Sequence, residues 1–256
     1  MRVLVTGAGG MQGRQVMLEY QRRGAEVVYP THDELDISDY RQVNAATAKV
    51  RPDIVINCAA YTNVDNAEVE KEKAFLTNGL GPRNLALACR EYAATLVHIS
   101  TDYIFNGQAG HPYRIYDTPC PLNVYGASKL FGEAAVRETG GKYFIVRTSW
   151  LFGPGGKNFV DTILTLAGQK DELQVVSDQH SSPTYTADLA AALAHLAASK
   201  VYGTYHTTNS GITSWYGLAK KIVASAGLSE QSNPVRQKTF PGPPPGRHFQ
   251  HWILFR

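Results

Sequence analysis

Short apolar runs recur through the first two thirds of the chain, each closed by small or polar residues and followed by a stretch of helical periodicity. Arg2-Val3-Leu4-Val5-Thr6, Ala25-Glu26-Val27-Val28-Tyr29, Asp53-Ile54-Val55-Ile56-Asn57, Leu96-Val97-His98-Ile99-Ser100 and residues 143–148 read as strands. Between them, helical spacing fills the stretch up to Arg23, residues 40–50, residues 82–92 and the segment around Tyr125. Asp65 and Glu68 have capping-box spacing and are expected to start a further helix, with residues 68–73 as its solvated face. Strands alternating with helices predict an α/β fold, a doubly wound parallel sheet with right-handed crossovers.

After Gly153-Pro154-Gly155-Gly156 the pattern loosens into a helix over 159–167, a strand over 173–176, a helix over 188–198, a strand over 203–206 and a helix over 214–226. This is enough for a smaller C-terminal lobe. The expected division is residues 1–155 as a dinucleotide-binding, Rossmann-type domain and 156–256 as a substrate-binding lobe. Pro241-Gly242-Pro243-Pro244-Pro245-Gly246 excludes a helix or a central strand there.

Composition narrows the class. The 256 residues are 43% hydrophobic and 18% charged, which describes an ordinary globule. A net charge of +3 and the lack of a basic run with interleaved aromatics argue against nucleic acid or an anionic membrane as partner. Cys58, Cys89 and Cys120 lack the spacing of a disulfide framework or a zinc site, so no metal is expected; Cys58 and Cys89 read as small core residues. Met1-Arg2 leads straight into a strand and no apolar stretch reaches the length of a membrane span. A cytoplasmic protein is expected.

Candidate chemistry begins at the first turn. Gly7, Gly10 and Gly13 form G-x-x-G-x-x-G between a strand and a helix, where the backbone can approach a pyrophosphate and the helix N-terminus offers free N–H groups. The second strand continues into Pro30-Thr31-His32-Asp33, with no acid directly after it for ribose hydroxyls and no arginine for a 2′-phosphate. NADH and NADPH therefore both stand, and His32 reads as an exposed loop residue. Cys58-Ala59-Ala60 follow the third strand at the sheet edge where a cofactor would pass.

The most specific chemistry is Tyr125-Gly126-Ala127-Ser128-Lys129, read together with Ser100-Thr101-Asp102. Tyr125 and Lys129 stand one helical turn apart on one face. A phenol titrates near ~10, and a nearby ammonium that lowered it by roughly three units would supply ~4 kcal/mol of preference for phenolate. With fourteen tyrosines in the chain, Y-x-x-x-K by itself is more often a surface pair. Its company raises it. Thr101 ends a buried strand, where open α/β sheets place their ligands.

Together with Asp36-Ile37, Asn57-Cys58-Ala59-Ala60-Tyr61-Thr62, Ile99-Ser100-Thr101-Asp102-Tyr103, Arg147-Thr148-Ser149-Trp150-Leu151, Asp178-Gln179 and Pro183-Thr184, these motifs resemble the extended short-chain dehydrogenase/reductase family, and within it the dTDP-4-dehydrorhamnose reductases. The resemblance covers roughly residues 1–230. It implies a reduced nicotinamide cofactor held by Gly7, Gly10, Met11, Gln12 and Gly13, with Asp36 and Ile37 at the adenine and Ala59, Ala60, Tyr61 and Thr62 along its path. It implies Tyr125 as proton donor, Lys129 as its electrostatic partner and ribose ligand, and Thr101 on the reacting carbonyl. Asp102 and Trp150 would hold the sugar of a dTDP-linked keto-sugar substrate, in cell-surface polysaccharide synthesis. A homodimer is compatible with it.

The resemblance has departures. Ser181 stands where such reductases often have glycine and is expected to strain a loop that favours positive φ. Asn106 replaces a common aspartate in a turn. Phe240 to Arg256 reads as truncated or frame-altered: irregular, with Trp252, Ile253, Leu254 and Phe255 docking on an apolar surface and substrate turnover weakened. Two rival functions remain. A dehydratase or epimerase of nucleotide sugars shares the fold, but a dehydratase typically carries Asp-Glu where this chain has Asp102-Tyr103. A cofactor-binding regulatory subunit without catalysis is the non-enzyme alternative.

Overall fold

The computed structural model describes residues 1–170, 172–228 and 235–238. The expectations for the tail from residue 240 onward lie outside the described residues.

β1 (Arg2–Thr6) is buried from Val3 onward and ends at Gly7, whose φ of +68° makes the turn into α1 (Met11–Arg22). β2 (Glu26–Val28) pairs with β1 on one side. After α2 (Tyr40–Val50), β3 (Ile54–Asn57) pairs with β1 on the other. The strand order therefore reverses between β1 and β3, the switch point where doubly wound sheets open a ligand crevice. The expected helix start at Asp65 and Glu68 is corrected. Asn63 caps α3 (Val64–Ala67) by accepting from the Asn66 amide, because it is the residue with extended backbone there. Nor is the 68–73 run simply a solvated face: Glu68 accepts from the Val124 amide at 2.8 Å, and Glu70 accepts from the Tyr61 phenol.

α4 (Lys71–Phe75) runs through a π-helical turn at Leu76–Leu80 into α5 (Gly81–Glu91). Then β4 (Thr95–Thr101), a 3-10 turn at Asp102–Ile104, α6 (Val124–Thr139) and β5 (Lys142–Thr148) follow. The second half adds β6 (Leu151–Phe152), α7 (Phe159–Ala167), β7 (Leu173–Val176), β8 (His180–Ser181), β9 (Thr184–Tyr185) and α8 (Thr186–Ser199). It closes with β10 (Gly203–His206), β11 (Thr213–Ser214), α9 (Trp215–Ser225) and β12 (Val235–Lys238).

The large sheet has the order β10-β5-β4-β3-β1-β2, all parallel. Val3, Val5, Ile56, Val97 and Phe144 on one face pack against Val16 and Tyr20 of α1 and Leu189 and Leu193 of α8. Leu4, Val55, Leu96 and Ile145 on the other face pack with Val43 of α2, Leu85 of α5 and Val136 of α6. The expected division at 155/156 therefore does not match the pairing. α8 and β10, which lie beyond it, complete the large sheet and its covering layer. The smaller lobe keeps α7, β7 and α9 around Ile163, Leu173 and Ile222, with β12 parallel to β7. Ser181 needs no left-handed backbone. It lies buried in β8, antiparallel to Thr213, so the expected loop strain does not arise.

Candidate active site

The candidate residues gather at the carboxyl ends of β1, β3, β4 and β5. The first turn is shaped by contact rather than by sequence alone: a Cβ on Gly7 would lie 2.5 Å from the Ala59 amide nitrogen, and one on Gly13 2.2 Å from the Gly7 carbonyl oxygen. These two glycines let the turn, β3 and α1 close on one another. Gly10 is different. It is the N-cap of α1, donates to the Gly7 carbonyl at 3.0 Å, and a Cβ there would meet only that oxygen at 3.4 Å.

The α1 N-terminus has no side-chain cap. Just inside it, Gln12 is buried with both amide atoms unpartnered. An orphaned carboxamide beside uncapped helix N–H groups fits an anionic group bound across this turn. At the switch point Asn57 Oδ1 accepts from Thr6 Oγ1 at 2.7 Å and from the Ala59 amide at 3.1 Å, which holds Ala59 and Ala60 in an open bend. Asn78 accepts from the Tyr61 amide at 2.8 Å and donates to Ser128 Oγ at 3.0 Å, tying that bend to α6. Thr62 is exposed. Asp36 lies beyond β2 and accepts from the Ser38 amide and hydroxyl at 2.8 Å each; Ile37 is buried against Gly81.

α6 begins where it does because Asn123 accepts from the Gly126 amide at 2.7 Å and Glu68 from the Val124 amide at 2.8 Å. The first turn carries Tyr125 to Thr101. The Thr101 side chain is near enough to act on the Tyr125 phenol, and the Tyr103 ring stands edge-on to Tyr125 with centroids 5.4 Å apart. Burial pushes the Tyr125 phenol up to about 12, the neighbouring Thr101 side chain opposing it. Thr101 Oγ1 also meets Asp102 Oδ1 at 3.0 Å. Asp102 is fully enclosed, its Oδ2 has no partner, and burial pushes the carboxyl up to about 7.

Lys129 departs from expectation. Its Nζ donates to the Ile99 carbonyl at 2.6 Å, and burial brings the ammonium down to about 8. Burial is the largest influence on the Tyr125 phenol, which it raises, and on the Lys129 ammonium, which it lowers. Trp150 has φ of +46°, rare for a bulky residue, and stacks on Trp215 at 3.5 Å and 9°. Trp215, Asn78, Glu133 and Arg147 were not singled out for the site from sequence. The Tyr125 motif continues at helical spacing to Glu133, and that spacing is the signal that could have found it.

Residues 1–246 match the family model described as the RmlD substrate binding domain. The chain belongs to that family. It is 49% identical over 227 residues to a dTDP-4-dehydrorhamnose reductase of Streptomyces griseus, covering 85% of this chain and 74% of that protein. It is 48% identical over 227 residues to the spore coat polysaccharide biosynthesis protein SpsK of Bacillus subtilis, covering 89% and 80%. Among solved structures, the dTDP-4-dehydrorhamnose reductase of Bacillus anthracis in complex with NADP superposes with a TM-score of 0.93 at 41% identity, covering 99% of this chain and 90% of that one.

Proposed function

We propose that this family member reduces the 4-keto group of a dTDP-linked 4-keto-6-deoxy sugar, the dTDP-4-dehydrorhamnose of its named relatives, with NADPH or NADH. The observation that carries the reading is the meeting of Tyr125, from the first turn of α6, with Thr101 at the carboxyl end of β4, in the same parallel sheet whose β1 ends in the glycine turn. Gly7, Gly10, Met11, Gln12 and Gly13 would hold the pyrophosphate, Asp36 and Ile37 the adenine end, and Ala59, Ala60, Tyr61 and Thr62 the path between. Lys129 would meet the ribose next to the nicotinamide. When bound, the reduced nicotinamide supplies the hydride.

Addition of hydride builds negative charge on the carbonyl oxygen, where the Tyr125 phenol would donate, joined by Thr101 once its hydroxyl turns from Asp102 Oδ1. A phenol pushed up to about 12 stays protonated at neutral pH, so Tyr125 enters the reaction as the acid. It then gives its proton to the developing alkoxide. Asp102 and Trp150 would hold the sugar, Trp150 by covering its ring. The reading favours reduction over dehydration, because the residue after Asp102 is Tyr103, packed on Tyr125 rather than an acid. The Bacillus subtilis relative supports a place in surface polysaccharide synthesis. Free Cys58, Cys89 and Cys120 support the cytoplasm, and no helix among the described residues is long and apolar enough to cross a membrane.

The test is to mix the protein with NADPH or NADH and dTDP-4-dehydrorhamnose and follow loss of nicotinamide absorbance. Tyr125→Phe is expected to bind cofactor normally and lose roughly 10²-fold or more in turnover. Full turnover by that variant would sink the reading.

A further inference from the structure

Consecutive β4 residues are each met by α6 residues spaced one turn apart. Thr101 meets the Tyr125 phenol, the Ile99 carbonyl accepts from Lys129 Nζ at 2.6 Å, and Ser100 Oγ donates to Glu133 Oε1 at 2.6 Å. The last contact belongs to a larger buried cluster. Glu133 is 0% exposed and also accepts from Arg147 Nε at 3.0 Å, Arg147 Nη2 at 2.8 Å and Arg137 Nη1 at 3.1 Å. Arg147, from β5, donates onward to the Ile115 carbonyl at 3.2 Å and lies 3.3 Å from His206 Nε2 on β10. A buried ion pair adds little net stability over apolar packing of similar volume.

We propose that Glu133 is a positioning residue for the reduction, locking α6 onto β4 through Ser100 and onto β5 through Arg147 so that Tyr125 and Thr101 keep their spacing. The inference rests on the reductase reading above. Glu133 acts on the neighbouring lysine as well. The groups that face Lys129 are Cys58 after β3, His98 on β4, and Glu133 on its own helix. Burial pushes the Cys58 thiol up to about 12 and His98 well below its usual value, so both are neutral. Glu133, held below the usual carboxylate range by Arg147, Ser100 and Arg137 against the burial that raises it, is the anion that favours the charged form of Lys129.

Three variants of the full chain test this. Glu133→Gln is expected to lower kcat by about tenfold or more, with KM and NADPH affinity within about threefold of the parent, since misplacement costs the transition state most. Its alkaline limb in kcat should move to lower pH, because Lys129 then loses its proton more readily. Ser100→Ala keeps the ion pair and removes the link to β4; kcat should fall while the alkaline limb stays in place. Arg137→Ala, which removes the outer and partly exposed partner, should behave as the parent. A folded Glu133→Gln with parental kcat and pH profile overturns the proposal. So does a loss in Arg137→Ala as large as in Glu133→Gln. If Glu133→Gln does not fold, parental kcat in Ser100→Ala overturns it. The Lys129 titration, followed by NMR of its ε-methylene, reads the electrostatic effect without turnover. A downward shift in Glu133→Gln alongside a parent inactive on the keto-sugar would support Glu133's action on Lys129 and strike the reductase reading instead; an unmoved titration would overturn that action.

Discussion

Gly126 packs against the carbonyl of Tyr103 so closely that a Cβ on it would lie 2.1 Å from the oxygen. The glycine between Tyr125 and Lys129 therefore has a structural reason. It lets the first turn of α6 rest on the 3-10 turn that follows Thr101, which brings Tyr125 to its partner. Gly126→Ala is expected to push the two elements apart, costing about 2 kcal/mol or more by overpacking. Turnover should fall more than cofactor affinity. Thermal unfolding and initial rates check both, and unchanged values would show that the contact relaxes freely.

The glycines of the first turn should separate into two kinds. Gly13→Ala meets the Gly7 backbone at 2.2 Å and is expected to destabilise the fold by roughly 1–3 kcal/mol. Gly10→Val faces more open space, so unfolding should change little while NADPH affinity drops. Titrating NADPH fluorescence against each folded variant is the measurement; parental affinity in Gly10→Val would remove Gly10 from the cofactor site.

Lys129 should make stability depend on alkaline pH in a particular sense. Its ammonium is brought from 10.5 down to about 8 in the fold. Between those values the unfolded chain binds more protons than the folded one, so stability contributed at this site rises with pH across that window. Below it, the buried charge is a standing cost. Lys129→Met is expected to be about 1–2 kcal/mol more stable than the parent near neutral pH, after allowing for the lost hydrogen bond to Ile99. The gain should shrink as pH rises through the window, and activity should fall. Urea unfolding at neutral and alkaline pH tests the sign; a gain that grew with pH would contradict it.

Trp215 sits between the Trp150 ring at 3.5 Å and the Phe159 ring at 4.3 Å, joining the segment after β5 to the smaller lobe. Trp215→Ala should cost about 1–3 kcal/mol, less than the loss of a fully enclosed aromatic, because the ring is only half-buried. It should also raise KM for the keto-sugar, because Trp150 holds a strained φ of +46° that the stack supports. Trp215→Phe should recover most of both. A KM unmoved by the alanine change would separate Trp150 from substrate binding.

Much of this protein is written locally. Buried strands such as Arg2–Thr6 and Thr95–Thr101 announce themselves as apolar runs, and the helix over Tyr40–Val50 by its period, because burial of one face is recorded residue by residue. The positions of Gly7, Thr101 and Tyr125 follow from that, since they stand at the ends of elements, and Lys129 follows Tyr125 by one helical turn. What the sequence by itself left undetermined depends on partners far along the chain. Gly203–His206 reads as a strand, yet only its pairing with Phe144–Arg147 assigns it to the large sheet instead of the smaller lobe. Asp65 and Glu68 have the spacing of a cap, yet Asn63 has the backbone for one and Glu68 serves the amide of Val124 instead. A lysine one turn from a tyrosine suggests a lowered phenol; enclosure decides otherwise, since desolvation acts on both groups and no short-range pattern encodes it. The pairing of Glu133 with Arg147 is of the same kind, for residues 14 apart in sequence meet only once α6 is laid across β4 and β5.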